Sequence, residues 1–304
     1  MDLFVIVATK GRPDATAVLM HQLFQQTLPP AHVVVVGSEA ADVEGLADLP
    51  YVGAGRLTVF TAAVGASVQR NAGLDWLASH AKGKTAGDWV VVFFDDDFRP
   101  RTDWLENCAR AFQADPHLMG ASGQVLADGV TSQVISETDA QRYLGAELPA
   151  LPHAWSGATA RQVPDLYGCN MAYRGSFASR ERLDANLPFY SWLEDVDYSC
   201  RAARHGSLRY LPDCQGVHLG SPSGRTSGVR FGYSQVANPF YLYRKGSVPL
   251  AKCRRVLLRN VASNVTKTVL FNRTRDYPGR LFGNLLAAFD ILRMKSHPKR
   301  ILDL

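Results

Sequence analysis

Residues 90–98 read VVVFFDDDF: five apolar residues run into Asp95, Asp96 and Asp97, and Phe98 follows at once. Adjacent carboxylates repel one another, and an ionised carboxylate is costly to desolvate. Packing alone gives no reason to set three of them at the mouth of a buried strand, so a positive partner is expected there. Hard oxygen ligands spaced i, i+2 on a turn bind Mg2+ or Mn2+, with substrate phosphates and water completing the shell. The alternative is an Asp-rich turn that caps the helix of TDWLENCARAF, residues 102–112. Thr102 and Asp103 suffice to cap that helix, which leaves the triplet without a structural duty.

About one hundred residues further on, Glu194, Asp195 and Asp197 form a second acidic group. Acids at a helix start are explained by the helix dipole alone. They also suit a general base, because a carboxylate held near others gains proton affinity and can deprotonate an attacking hydroxyl. Trp192 beside them offers a flat face to a sugar ring. His218, in GVHLGS, is either a satisfied structural histidine or a third metal ligand. Residues 216–235, GVHLGSPSGRTSGVRFGYSQ, read as a mobile Gly- and Ser-rich loop. Arg225, Arg230 and Tyr233 on it would neutralise a diphosphate leaving group, or merely be solvated. The pair Arg70–Asn71 in GASVQRNAGL either packs a helix on a strand or contacts a nucleotide phosphate.

These residues need elements to hold them. Leu3–Ala8 reads as a short apolar strand, and TKGRPD follows as a turn with Pro13 placed to open a helix. Over 14–27 the apolar residues Val18, Leu19, Leu23 and Phe24 share a helical face. His32–Val36, Leu57–Phe60 and Trp89–Phe94 read as further strands, with a helix over 66–80. Short continuous apolar strands alternating with helices predict a mostly parallel sheet flanked by helices. Ligands bind such sheets beyond the carboxyl ends of the strands, where Asp95–Asp97 and the TKGR turn both lie. Past residue 120 the alternation fades, leaving a strand over 166–174 and a helix over 191–205.

The composition, 46% hydrophobic and 20% charged over 304 residues, suits a globular chain with a substantial core. Five cysteines without a CxxC pair point to a reduced, cytosolic setting and away from a zinc site. The start MDLFVIVATKGRP lacks the basic n-region of a secretory signal. No apolar run approaches the ~18–20 residues that span a bilayer. The net charge of +5 is unevenly placed: residues 249–304 hold 12 Lys/Arg against 3 Asp/Glu, while the rest of the chain is net acidic.

In order and spacing these segments resemble the family 2 glycosyltransferases, inverting enzymes of the GT-A nucleotide-sugar-binding fold, over roughly residues 3–245. IVATKGRP is similar to the opening strand and turn that hold the nucleotide, and GASVQRNAGL to the family's glycine-then-Arg-Asn segment. FFDDDF matches the Asp-x-Asp metal motif, LYGCNMAYR the acceptor-side Gly-x-Asn-Met segment, WLEDVDYSCR the Glu-Asp motif, and GVHLG the late histidine. The resemblance implies Asp97 as main metal ligand joined by His218, and Asp195 as the base. It implies Asp95 and Asp96 on the ribose and on the metal's waters, and Thr9, Arg12 and Arg70 in the nucleotide pocket. Asn170, Trp192 and Glu194 fall on the acceptor side. Family members usually carry a base-reading Asp after the second strand. Here GSEAAD puts Gly37, Ser38 and Glu39 in that region, so uridine, thymidine and guanosine donors all stay open. A Mn2+ or Mg2+ cofactor and single in-line displacement at the anomeric carbon follow from the same likeness.

The tail, 249–304, predicts two basic amphipathic helices beyond a catalytic domain of residues 1–248, itself split into a nucleotide-binding half (1–120) and an acceptor-binding half (121–248). Leu250, Cys253, Leu257, Val261, Val265 and Val269 recur at helical spacing, with Lys252, Arg254, Arg255, Arg259 and Lys267 interleaved. Such helices either pack on the domain or lie on an anionic membrane surface. The ending resembles tails of bacterial exopolysaccharide and lipopolysaccharide glycosyltransferases, which implies a polyprenyl-diphosphate-linked saccharide acceptor and a peripheral place on the cytoplasmic face of the plasma membrane. Nucleic acid is not expected as a partner, because the tail is too apolar and lacks a reader motif. Two other functions remain open: a non-catalytic nucleotide-sugar-binding scaffold, and a nucleotidyltransferase, for which TKGRPD is a poor loop.

Overall fold

The computed structural model describes residues 1–80, 85, 87–130, 133–221 and 227–304. Its first half alternates as the sequence predicts: β1 (Asp2–Ala8), α1 (Pro13–Phe24), β2 (His32–Gly37), the short α2 (Pro50–Gly53), β3 (Leu57–Thr61), α3 (Ala66–His80) and β4 (Trp89–Asp95). There follow β5 (Phe98–Pro100), α4 (Trp104–Ala114), β6 (Leu118–Asp128), α5 (Glu137–Leu144), β7 (Arg161–Gln162), β8 (Asn170–Arg174), the short α6 (Gly175–Ala178), α7 (Glu194–Ala202) and β9 (Ser207–His218). Three long helices close the chain: α8 (Gly228–Lys245), α9 (Leu250–Val269) and α10 (Tyr277–Leu292).

The strands form a single mixed sheet in the order β3-β2-β1-β4-β8-β6-β9-β5, with β7 on β9. The parallel expectation holds for β3-β2-β1-β4; β1, β2 and β4 are buried on both faces, while the edge strand β3 buries only Leu57. Beyond β4 the sheet changes direction, because β8 pairs antiparallel with both β4 and β6. That switch sets the end of β4 beside the start of β8 and the end of β9, and the acidic triplet sits at the junction.

Pro13 occupies the first helical turn of α1, where its missing N–H costs nothing. The helix buries Leu19, Met20 and Leu23, while Val18, expected on that face, is exposed. Helix α3 lies close on β1 because Gly73 has no side chain: a Cβ there would stand 2.6 Å from Ile6. This close approach carries Arg70 to the end of β4. Asp103 stands at the N-cap of α4, but its carboxylate takes Arg101 at 2.7 and 2.8 Å and caps no helical N–H.

The expected loop over 216–235 is corrected at both ends. Strand β9 runs through His218, and α8 begins at Gly228 with Ser227 Oγ accepting from Arg230 N. Helix α8 then packs on α9 and α10. Gly232 and Gly283 permit the crossing, since a Cβ on either would fall about 2 Å from the facing backbone. A buried amide ladder fills the same seam: Asn264 donates to Gln235 and Asn284, and Asn284 donates to the Gly232 carbonyl. No helix among the described residues is long and apolar enough to cross a membrane.

Candidate active site

At the carboxyl end of β4, the chain turns through Asp95, Asp96 and Asp97 and pairs Phe98 with His218 of β9. That pairing returns the histidine to the triplet. One ligand atom each from Asp95, Asp97 and His218 lies within 4.8 Å of the others. His218 Nε2 is 3.3 Å from Asp97 Oδ1 and 3.8 Å from Asp95 Oδ2. Its other nitrogen, Nδ1, faces Asp128 Oδ1 at 3.2 Å, which leaves Nε2 aimed at the aspartates. Asp128 is itself buried and held by Tyr167 Oη at 2.8 Å, His153 Nε2 at 3.0 Å and Val130 N at 2.9 Å. Two carboxylates and an oriented imidazole are a donor set that fits Mn2+ or Mg2+, and Asp128 supplies the outer partner such a histidine needs. Burial disfavours the His218 cation, yet Asp97, Asp128 and Asp95 together hold its pKa well above the ordinary value.

Cations of the chain itself balance the remaining charge. Arg12 Nη2 is 2.9 Å from Asp96 and its Nη1 donates to Asp97 at 3.0 Å. Asp97 also accepts from Ser221 N at 2.8 Å. Despite burial, His218, Arg12 and Ser221 N hold its carboxyl below the usual range. Asp96 is wholly buried, so it cannot face a ribose as the resemblance implies; it accepts from Thr9 Oγ1 at 2.7 Å, and Thr9 is buried with it. These two residues anchor Arg12 from beneath. Burial, against the pull of Arg12, pushes Asp96 up to about 7.

The second acidic group reaches the first through Arg70. Its guanidinium donates to Asp95 at 2.6 Å, to the Gly168 carbonyl at 3.2 Å, and to Glu194. Arg70, expected in the donor pocket, and Glu194, expected on the acceptor, are both buried and bonded to each other. Asp195, the next residue, is only half-buried. Its carboxylate accepts from Gly168 N at 3.1 Å and Val196 N at 2.8 Å. Loss of solvent and the charge of Asp165 push it up to about 6, while those N–H groups and Arg70 oppose the rise. Asp197 turns away to Lys245 and Arg201 and takes no part. The segment entering α7 is strained: Phe189, Ser191 and Leu193 all have φ between 52° and 73°, a conformation costly for residues with side chains.

Other expected contacts are placed less directly. Asn170 is wholly buried on β8, with Nδ2 on the Gly123 carbonyl at 3.4 Å, so it belongs to the floor of the sheet. Trp192 is half-buried, its ring edge against Phe231. Arg230 sits in the first turn of α8 and donates to the Leu304 carbonyl at 2.7 Å. Tyr233 lies in the same helix, buried against Asp290 at 2.9 Å. Arg225 lies outside the described residues.

Three residues emerge that sequence reasoning passed over. Asp128 had no signal beyond its place at the end of β6. Tyr190, more than half exposed on the strained segment, senses the site: loss of solvent around its hydroxyl, then Asp95, Asp195 and Asp97, raise its pKa. Asp42 closes GSEAAD, the segment that lacks a base-reading Asp at its start. A short 3-10 turn, Ala40–Val43, folds it back. Its carboxylate accepts from Gly11 N at 2.6 Å, Ser38 N at 2.7 Å, Ser38 Oγ at 2.6 Å and Glu39 N at 3.1 Å. Burial works against its charge, but these donors hold its pKa low. Ser38 and Glu39 are thereby positioned by Asp42, which ties the turn after β1 to the turn after β2. Asp42→Ala is expected to destabilise the fold by about 2 kcal/mol, since several donors lose their acceptor. Urea unfolding that gives the wild-type midpoint would show the tie to be dispensable.

Residues 4–177, more than half of the chain, match the family model described as glycosyl transferase family 2. Among curated proteins, none matches the chain. Among solved structures, S. aureus TarS residues 1–349 superposes with a TM-score of 0.62 at 16% identity, covering 99% of this chain and 82% of that one. The same protein in complex with UDP-GlcNAc gives 0.58 at 17% identity, over 99% and 83%. Mannosyltransferase PcManGT from Pyrobaculum calidifontis, in complex with GDP-Man and Mn2+, gives 0.53 at 16% identity, over 99% and 84%. At such identities the likeness is one of fold, and the fold is GT-A: a mixed, curled sheet between helices with a helical C-terminus. With the family match over β1 to α6, the chain belongs to glycosyl transferase family 2.

Proposed function

We propose that the protein is a divalent-metal-dependent, inverting glycosyltransferase that moves a hexosyl group from a nucleotide sugar to a hydroxyl of a saccharide acceptor. The observation that carries this reading is the Arg70 bridge, which ties Asp95 of the Asp95–Asp97–His218 trio to Glu194 and so brings the half-buried Asp195, the next residue, towards the same cluster. A binding scaffold has no use for a carboxylate with raised proton affinity beside a metal-ligand set. UDP-GlcNAc and GDP-Man in the neighbouring structures support a nucleotide-sugar donor.

Asp95, Asp97 and His218 would hold Mn2+ or Mg2+, which supplies charge neutralisation for a departing diphosphate. Arg12, a fifth of its side chain exposed, adds a fixed positive charge beside that set. Asp195 takes the proton of the acceptor hydroxyl as that oxygen bonds to the anomeric carbon. The bond from the carbon to the diphosphate oxygen breaks on the opposite face, and the configuration inverts. Tyr190, exposed on the strained entry to α7, is placed to contact the acceptor, with Trp192 next to it. Arg230 is not assigned to the diphosphate, because its guanidinium donates to the Leu304 carbonyl. The acceptor is a saccharide carried on a polyprenyl diphosphate in bacterial surface polysaccharide synthesis, with the chain peripheral on the cytoplasmic face of the plasma membrane. The resemblance of the basic tail to those of such enzymes supports this part.

A thermal-shift screen of nucleotide sugars with Mn2+, followed by NMR of the product's anomeric configuration, tests the reading. One nucleotide sugar should stabilise the protein only with the metal, and the product should be inverted. A retained configuration would remove Asp195 as base. Because Asp195 must be ionised to accept the proton, kcat/KM should fall about tenfold per pH unit below about 6 and level off above it. A flat profile down to pH ~5 would place the proton acceptor elsewhere.

A further inference from the structure

Helix α10 buries Tyr277, Gly283, Asn284 and Ala287 against its neighbours. Its opposite face is apolar as well. Phe282, Leu285, Phe289 and Leu292 recur at i, i+3, i+7 and i+10 and are 56%, 62%, 54% and 83% exposed, and Met294 beyond them is 89% exposed. A helix on the surface of a soluble domain ordinarily turns polar residues that way. The outer face of α9 mixes cations with apolar residues: Arg254, Arg255 and Arg259 are exposed together with Leu250 and Leu258, and exposed Val265 and Val269 lead on to Leu270 and Phe271. Only Cys253, Leu257 and Val261 of the predicted apolar stripe face inward; Leu250, Val265 and Val269 do not.

We propose that the outer faces of α9 and α10 seat the protein on an anionic lipid bilayer, Phe282, Leu285, Phe289 and Leu292 entering the acyl boundary and the cations binding headgroup phosphates. Charge selects this occupant. Residues 249–304 carry 12 Lys/Arg against 3 Asp/Glu, and each of those acids is already engaged. Asp276 caps α10 through Gly279 N, Asp290 accepts from Tyr233, and Asp303 pairs with Arg300. No carboxylate therefore interrupts the stripe. A second copy docked through the same face would set like charge against like charge, whereas a phosphate-rich surface complements it. Neither helix is apolar enough to span a bilayer, so the helices lie on the surface rather than cross it. This attachment deepens the reading above and rests on it only where a lipid-linked acceptor shares the bilayer.

Co-sedimentation of the full chain with phosphatidylglycerol–phosphatidylcholine vesicles, against phosphatidylcholine vesicles, tests the proposal. The protein should pellet with the anionic vesicles and far less with the neutral ones. The variant Phe282→Ser/Phe289→Ser/Leu292→Ser should lose about tenfold in bound fraction, and Arg254→Glu/Arg255→Glu/Arg259→Glu a similar amount. Circular dichroism and thermal melts of both variants should match the wild type, as should stabilisation by nucleotide sugar with Mn2+. Loss of vesicle binding is thereby read separately from failure of the glycosyl-transfer reading. Wild-type protein that stays in the supernatant, or undiminished binding by the stripe variant, overturns the proposal. So does a wild-type dimer in solution that becomes monomeric in the stripe variant, because the face would then be an interface between copies.

Discussion

Asp195→Asn is expected to lower turnover by about 10²–10⁴-fold and to leave donor affinity unchanged. The asparagine side chain keeps the size of the carboxylate and retains one oxygen to accept from Gly168 N or Val196 N. What it loses is the capacity to take a proton at neutral pH. The donor-side elements are separated from this change: Asp97 takes Arg12, His218 and Ser221 N, and these contacts do not involve Asp195. Arg70, which bridges the two acidic groups, keeps its contacts to Asp95 and Glu194. Single-turnover kinetics beside calorimetry of donor binding separates the two effects. Equal turnover in variant and wild type would end the assignment of Asp195 as base; a parallel loss of donor affinity would instead make it a structural partner of the nucleotide pocket.

The chemistry of the site was readable where it lay in contiguous motifs. The carboxylates of FFDDDF stand at the end of β4, as the run of apolar residues before them required. His218 reaches them because β5, only three residues long, pairs Phe98 with it. Periodicity cannot show such a pairing, and here the ordering of motifs did more than composition. What escaped was everything that depends on a return of the chain. Asp42 lies in plain view in GSEAAD, yet only the 3-10 turn makes it the acceptor of four donors. Asp128 is one acid at the end of a long strand, and its value comes from the register that sets it opposite His218.

The second half of the fold was harder for a related reason. From β1 to β4 the strands pair with one another in parallel, and β1, β2 and β4 are buried on both faces, so their residues repeat one signal. From β6 onward the sheet mixes directions, and buried positions depend on partners far along the chain. The Gly- and Ser-rich stretch after His218 illustrates the failure. Its glycines read as looseness, whereas Gly232 is a close-packing site where α8 meets α10. Arg230 and Tyr233, offered to a diphosphate, bond instead to the Leu304 carbonyl and to Asp290 of α10. Exposed Val18 shows the same limit on a smaller scale: helical spacing identifies a face but not its edges.

Asp97→Asn carries the second large effect. The carboxylate is almost fully buried and its two oxygens divide the work, Oδ1 facing His218 Nε2 and Oδ2 taking Arg12 and Ser221 N. A neutral amide keeps the volume but withdraws the charge that both cations face. Loss of an outer-shell partner typically costs about 10–100-fold in metal affinity, and Asp128→Asn is expected in that range because it orients His218 without touching the metal position. Asp97, proposed as a direct ligand, should cost at least as much as the upper end. Manganese binding followed by electron paramagnetic resonance measures this without any turnover. In the wild type, Mn2+ should raise donor affinity; in Asp97→Asn the donor should bind with one weak affinity with or without Mn2+. The ordering of the two variants is the sharper test. If Asp128→Asn weakened the metal more than Asp97→Asn, Asp97 would be a counter-ion to Arg12 and His218, and the ligand set would have to be sought among other residues.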